Sequence, residues 1–366
     1  MDGLEIAHRR LHNQHLSGPR PDDPVAVVAH LGAVQAQEYA VAKWSIGQRT
    51  TGCDDAAVQR AVDSGAIVRT HALRPTWHFV AAADLGWIQA LTGPRVHRFN
   101  GTYYRMHGMD DEFAARTTKV ITQALRGGNH LTRKELAHAL DLAGIPAEGN
   151  RLAYVVMWAE LDGLIANGVM RGKQHTYALV SERVAEPREL TGDAALAELT
   201  RRYFTSHGPA TMKDFSWWSS LTVAQIRRGL ELVGAELETA EVGGRRYWFA
   251  PGGPPPRDPP PRVHALQGYD EFLVAYTESR SMANVAGLPV TAPNENMLIH
   301  PMVLDSQAIG FWRRSVSARE IVAELELATG LTVPQRRAVE AAFARYAEFA
   351  GIPVTVAWPQ APYDGR

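Results

Sequence analysis

Two glutamines close an apolar run, in Leu31-Gly32-Ala33-Val34-Gln35-Ala36-Gln37, where amides have no packing reason to stand. A glutamine side chain offers one acceptor and one donor group and does not titrate near neutrality, so such a pair positions atoms and is a poor general base. On a continuous helix, residues two apart diverge by about 200°. Gln35 and Gln37 therefore reach one cleft only if the helix ends or bends; the alternative is a solvated helix end. Arg74-Pro75-Thr76-Trp77-His78 gathers a cation, a hydroxyl, an indole and an imidazole at a strand entry. It reads either as a hairpin burying its tryptophan or as the wall of a cleft. His12 and His15 lack a neighbouring carboxylate or third ligand, so no metal is expected. Tyr269-Asp270-Glu271 sets two acids side by side, and adjacent strand residues face opposite ways, which favours structural roles over a paired-carboxylate site. Ser206-His207-Gly208-Pro209-Ala210-Thr211 reads as a helix-start turn, and Trp217-Trp218 as core. Phosphate-loop, HExxH, GxSxG and dinucleotide signatures are all missing, and no cofactor is expected.

The elements that must hold these residues come from a chain of 366 residues, 45% hydrophobic and 21% charged. That is an ordinary globular composition, long enough for two or three compact units. It excludes wholesale disorder, and no apolar run reaches membrane-spanning length. The first residues carry no secretory pattern, and the single Cys53 cannot pair internally, so a reduced, cytoplasmic setting is expected. A net charge of −1 and a pI near 6.9 give no whole-chain basic footprint, so nucleic-acid binding would require a polarised surface. Lysine occurs only at positions 43, 119, 134, 173 and 213, and arginine supplies the other cations.

A proline-rich linker, 251–262, separates a mainly helical part from a strand-rich part. Before it, one plan recurs three times: a helix, a turn, a second helix, then two short strands. The clearest copy has Thr132 and Glu135 as a capping box, a helix over about 150–162, and strands at 163–166 and 177–180 flanking the basic tip Arg171-Gly172-Lys173-Gln174. The third copy has Thr211 and Thr222 as helix caps and a hairpin around Gly243-Gly244. In the first, Asp23 caps a helix through about Val34, with another near 56–64 and strands at 67–70 and 76–80. This is the winged-helix plan. It predicts an α+β protein with three tandem winged-helix units around a concave cleft and a small β-barrel-like C-terminal region. The expected divisions are 1–82, a helical connector 83–127, 128–185, 190–250, the linker, and 263–359. Strands are expected at 264–276, 297–304, 308–314, 321–327 and 354–358, with one helix at 333–349 and a frayed tail from 360.

Taken together and in order, the Gln35-Ala36-Gln37 and Arg74–His78 motifs, Arg202–Thr211 with Trp217-Trp218, Tyr269-Asp270-Glu271, and Gly310-Phe311-Trp312-Arg313-Arg314 resemble the winged-helix DNA glycosylases of the AlkZ and YcaQ type over roughly Leu4 to Trp358. The Gln-x-Gln form resembles the AlkZ-like branch; the aspartate of the other branch is absent. The resemblance implies a monofunctional glycosylase that excises cationic N7-alkylguanine, including bulky adducts and interstrand crosslinks from antibiotic genotoxins, in base excision repair and self-resistance. It assigns Gln35 and Gln37 to catalysis. It also implies a DNA-inserting β-hairpin, placed either near 284–296 or at the wing 171–174. Expected DNA contacts are Arg74, Thr76, His78, Arg95, Arg98, Arg171 and Lys173, and the expected partner of the monomer is duplex DNA carrying alkylated guanine. Lys43 is the one lysine near the glutamine motif, so Schiff-base lyase chemistry is not expected. The alternative is a non-catalytic winged-helix DNA-binding protein or regulator.

Overall fold

The computed structural model describes residues 1–253, 255–256, 261–290 and 300–360. Part of the expected linker, residues 291–299 of the loop proposed for hairpin insertion, and the tail beyond 360 lie outside the described residues. Helix α1 (Gly3–Asn13) leads into the first repeat. There, Asp23 accepts from the Val25 amide and Pro24 takes the first helical position of α2 (Pro24–Leu31), an arrangement that suits both residues. Gly32, with φ +77°, ends α2 at Leu31, short of the expected Val34. The next residues form β1 (Val34–Gln35), and α3 (Tyr39–Gly47), which hydrophobic patterning did not reveal, follows. Then come α4 (Asp55–Asp63), β2 (Ile67–His71) and β3 (Trp77–Ala81), in a sheet ordered β1-β3-β2.

The same order returns twice. Helix α5 (Ala82–Met106) leads to α6 (Asp111–Leu125), β4 (Leu131–Thr132), α7 (Arg133–Leu142), α8 (Gly149–Leu161), β5 (Ile165–Asn167) and β6 (Thr176–Leu179), the sheet being ordered β4-β6-β5. Phe113, Ile121 and Leu125 of α6 join Leu136, Leu140 and Leu152 in one core, so 111–125 packs as part of the second repeat. The Thr132–Glu135 capping box is present. After the short α9 (Val180–Arg183) come α10 (Gly192–Ser206), α11 (Met212–Ser219), α12 (Val223–Val233), β7 (Glu238–Val242) and β8 (Arg245–Phe249). Here the first strand has shrunk to a single bridge, Ala210 with Trp248. Gly243 and Gly244 both take positive φ, as a two-residue hairpin turn requires.

The C-terminal part contains β9 (Val263–Ala265), α13 (Glu271–Val274), β10 (His300–Leu304), β11 (Gln307–Val316), β12 (Ile321–Leu327), α14 (Val333–Ala350) and β13 (Val354–Ala357). Its five strands run β13-β12-β11-β10-β9 and curl into a half-barrel. The strand expected over 264–276 stops at Ala265; Asp270 accepts from the Phe272 amide and starts a helical turn instead. One core joins Val27, Leu31 and Trp44 to Trp312, Phe343 and Phe349, so the first repeat and the half-barrel share apolar packing. A buried ion pair reinforces the seam. Arg49 at the end of α3 meets Asp270 at 2.6 and 2.9 Å, and both side chains are fully enclosed.

Removing one partner of such a pair strands a buried charge. Asp270→Ala is expected to lower unfolding free energy by about 3–5 kcal/mol, read from urea denaturation. A loss under about 1 kcal/mol would contradict this packing.

Candidate active site

The first repeat delivers both glutamines from extended chain. Val34 pairs with Phe79, Gln35 with His78, and the Ala36 amide donates to Trp77 O at 2.7 Å. Alternation sends Val34 and Ala36 into the core and Gln35 to the other side; Gln37 lies past the strand and is not among the residues lining the cavity beside Gln35. The helix has ended before either residue, so the 200° divergence of a continuous helix does not apply. Gln35 is 4% exposed; Gln37 is exposed, with its Oε1 accepting from the Trp77 amide at 3.2 Å.

Gln35 lies in the wall of a cavity of about 920 Å³. Arg74, Thr76 and Arg95 share that wall, with Phe99 of α5, Trp217 of α11 and Val223 of α12 supplying apolar surface. These last three are large apolar side chains left open to solvent, which a cleft for a ligand explains better than a core does. Thr76 Oγ1 and Arg95 Nε are buried without a hydrogen-bond partner among the described residues. Lys213 also reaches the cavity, on the third repeat, and is paired with Glu278 at 2.8 Å. Lys43, the lysine nearest in sequence, is tied to Asp55 at 2.8 Å.

Behind Gln35 stands a polar cluster that sequence reasoning did not assemble. Glu271 accepts from the Gln35 amide through Oε1 (2.9 Å) and from Trp218 Nε1 through Oε2 (2.9 Å). Gln267 Nε2 donates to Gln35 O at 2.8 Å. Arg74 donates to Gln35 Oε1 (2.8 Å) and to Trp218 O (2.9 Å). Burial pushes the Glu271 carboxyl up, but the neighbouring His207 imidazole, Arg74 and His78 outweigh it and bring it down to about 2. His207 Nε2 stands 3.4 Å from Glu271 Oε2, and burial lowers its own pKa. The acid pair thus divides: Asp270 serves Arg49, and Glu271 serves Gln35. Nothing local in Tyr269-Asp270-Glu271 signals which distant element each acid meets.

The other expected contacts scatter. His78 is fully enclosed beside Arg74. Arg98 is exposed on α5 and does not line the cavity. Arg171 and Lys173 sit exposed on the β5–β6 tip, Arg171 being bonded to Glu135 and His130 O at 2.7 Å each. A second, more polar cavity near that tip collects Arg69, Arg133, Lys134, Gln174 and His175. His12 and His15 form no metal cluster; among the described residues no group of three or more potential ligands gathers. Cys53 is half-buried, and burial pushes its thiol up to about 11, so it is not an activated nucleophile.

The sequence matches the family model described as "DNA glycosylase AlkZ-like" over residues 28–349. The chain belongs to that family. It is 24% identical over 323 residues to the interstrand DNA cross-link repair glycosylase of Streptomyces sahachiroi, covering 83% of this chain and 85% of that protein. The solved structure of the Streptomyces sahachiroi DNA glycosylase AlkZ superposes with a TM-score of 0.76 at 22% identity, covering 98% of this chain and all of the other. That likeness establishes a shared fold, and the half-barrel and helical repeats described above belong to it. In this AlkZ-like chain, no described helix is long and apolar enough to cross a membrane.

Burial sets a pH dependence. Desolvation holds His78 down to about 3, and His15, His175 and His300 down to about 4. Below pH 6.5 the unfolded chain therefore binds protons that the folded chain refuses, so stability falls as pH drops from about 6.5 to 4. Glu271, depressed when folded, adds a further loss as pH falls below about 4.5 toward 2. The urea midpoint is expected to decline steadily from pH 6.5 to 4, and His300→Gln to make that decline shallower. A midpoint that does not change over this range would contradict neutral buried imidazoles.

Proposed function

We propose that the protein is a monofunctional DNA glycosylase that hydrolyses the N-glycosidic bond of cationic N7-alkylguanine in duplex DNA. The observation that carries this reading is an amide, Gln35, fixed by Arg74 in the wall of a large, mainly apolar cavity in a chain of AlkZ-like family. N7-alkylation leaves guanine positively charged, and it departs neutral, so the site needs no strong general acid. What remains is to hold the sugar as it gains oxocarbenium character and to place a water against C1′. Positioned dipoles supply that at low reorganisation cost. Two neutral amides suit a leaving group that is already activated and spare undamaged bases.

The cavity is far larger than a methylated base needs, and its apolar wall of Phe99, Trp217 and Val223 suits bulky, apolar adducts. The Streptomyces sahachiroi relative is described as a cross-link repair glycosylase, and interstrand crosslinks are proposed as substrates here too. The three repeats are read as winged-helix units: each has one helix, a strand or bridge, two helices and a hairpin, with the last strand in the middle of its sheet. Arg95 at the cavity, the exposed Arg98, and Arg171 and Lys173 at the second hairpin tip would follow the phosphates. Whether that tip or the 284–296 loop enters the duplex is decided by deleting each.

The test is an abasic-site assay on a duplex with one N7-methylguanine. Wild type is expected to release the base and leave an intact strand that breaks only in hot alkali. Gln35→Ala and Gln37→Ala are expected to slow release at least tenfold, about 1.4 kcal/mol each. Unchanged release in both variants overturns the assignment. Borohydride trapping of the chain on DNA that is lost in Lys213→Ala would instead make Lys213 a Schiff-base lysine and the enzyme bifunctional.

A further inference from the structure

The two ends of the Gln35 amide are told apart by their surroundings. Arginine only donates hydrogen bonds, so the atom facing Arg74 Nη2 at 2.8 Å is the carbonyl oxygen. Arg74 is itself pinned. Its Nη1 donates to Trp218 O at 2.9 Å, and its Nη2 lies 3.3 Å from His78 Nε2. His78 Nδ1 lies 2.9 Å from Thr76 O, a carbonyl that only accepts, so Nδ1 carries the proton. In the neutral ring Nε2 is then an acceptor that suits Arg74. The Gln35 backbone is equally fixed, its N–H on Glu271 and its C=O on Gln267. One polar atom remains: Nε2, which makes no protein hydrogen bond among the described residues and belongs to a side chain lining the cavity.

We propose that Gln35 acts through its amide nitrogen as a hydrogen-bond donor to a phosphate or deoxyribose oxygen of the damaged nucleotide, with Arg74 as its positioning residue. This rests on the glycosylase reading above. The acceptor that orients water is then Gln37, an exposed side chain two residues on and outside the cavity wall, whose Oε1 keeps a second lone pair beside its single bond from Trp77. The two glutamines divide the work, and Arg74 serves the amide and does not contact DNA.

Glutamate substitutions separate the two roles, because a carboxylate accepts and cannot donate. The full-length chain is assayed under single turnover on a duplex with one N7-methylguanine, alongside binding of an undamaged duplex by fluorescence anisotropy. Gln35→Glu keeps the Arg74 contact and loses the donor; release is expected to slow on the order of 10²-fold. Gln37→Glu keeps an acceptor, loses only a donor the proposal does not use, and is expected to slow release less than Gln35→Glu does. Arg74→Met is expected to slow release with duplex affinity and its salt slope unchanged, and Arg74→Lys to restore part of the rate. Gln35→Glu releasing base at the wild-type rate, or Gln37→Glu failing as badly as Gln35→Glu, overturns the proposal. So does an Arg74→Met that loses salt-dependent duplex affinity. If Gln35→Glu does not fold, as judged by thermal melting, the Arg74 pair carries the test. Wild type that releases no base from alkylated duplex overturns the glycosylase reading and this division with it; wild-type release with an active Gln35→Glu overturns the division alone.

Discussion

Glu271 is a carboxylate with no access to solvent, and three separate parts of the chain meet on it. Its two oxygens take the Gln35 amide from the first repeat and the Trp218 indole from the third, while Glu271 itself opens the first turn after β9. Removing a carboxylate from water is costly, and the cost is offset only when donors and a countercharge are already in place. Arg74 supplies the countercharge and, through its other contacts, joins Trp218 O to the Gln35 side chain. The low dielectric around this cluster strengthens each bond in it and penalises any partial version. The site therefore forms only in the fully docked fold.

That dependence fits the chemistry proposed. Amides catalyse by being in the right place, so their value lies in the rigidity of what holds them. Gln35 has its backbone and its carbonyl oxygen fixed and one donor left for the cavity. Around it the wall is apolar, with Phe99, Trp217 and Val223 drawn from three different helices. Such a wall offers apolar surface to an adduct and leaves room for more than a base. The apolar core shared by the first repeat and the half-barrel, together with the Arg49–Asp270 pair, keeps the two halves of this arrangement from shifting.

Much of this was legible in sequence where the signal is local. Thr132, Thr211 and Thr222 marked helix starts, Gly243-Gly244 marked a hairpin, and the β12 and α14 spans fell close to their periodic runs. The Gln-Ala-Gln motif stood out because its residues do not fit an apolar stripe, and its resemblance to a known family was specific. What sequence missed is long-range. Two residues of β1 are too few to show a period, so α2 seemed to continue to Val34. Asp270 and Glu271 looked like a strand pair because an N-cap needs only one turn of helix behind it. Arg74 and His78 were assigned to DNA because their types suit it. Burial, which one sequence does not display, sets Arg74 against Gln35 in the cavity wall and encloses His78 behind Arg74.

The most direct measurement is base release by Glu271→Gln, a change that keeps size and removes charge. An amide at 271 points an N–H₂ group at a donor, either the Gln35 amide or the Trp218 indole, and leaves Arg74 without its countercharge. With folding confirmed by melting and duplex binding intact, release of N7-methylguanine is expected to fall at least tenfold, about 1.4 kcal/mol of transition-state stabilisation. A folded Glu271→Gln protein that releases the base at the wild-type rate would show that the buried carboxylate does not organise the site.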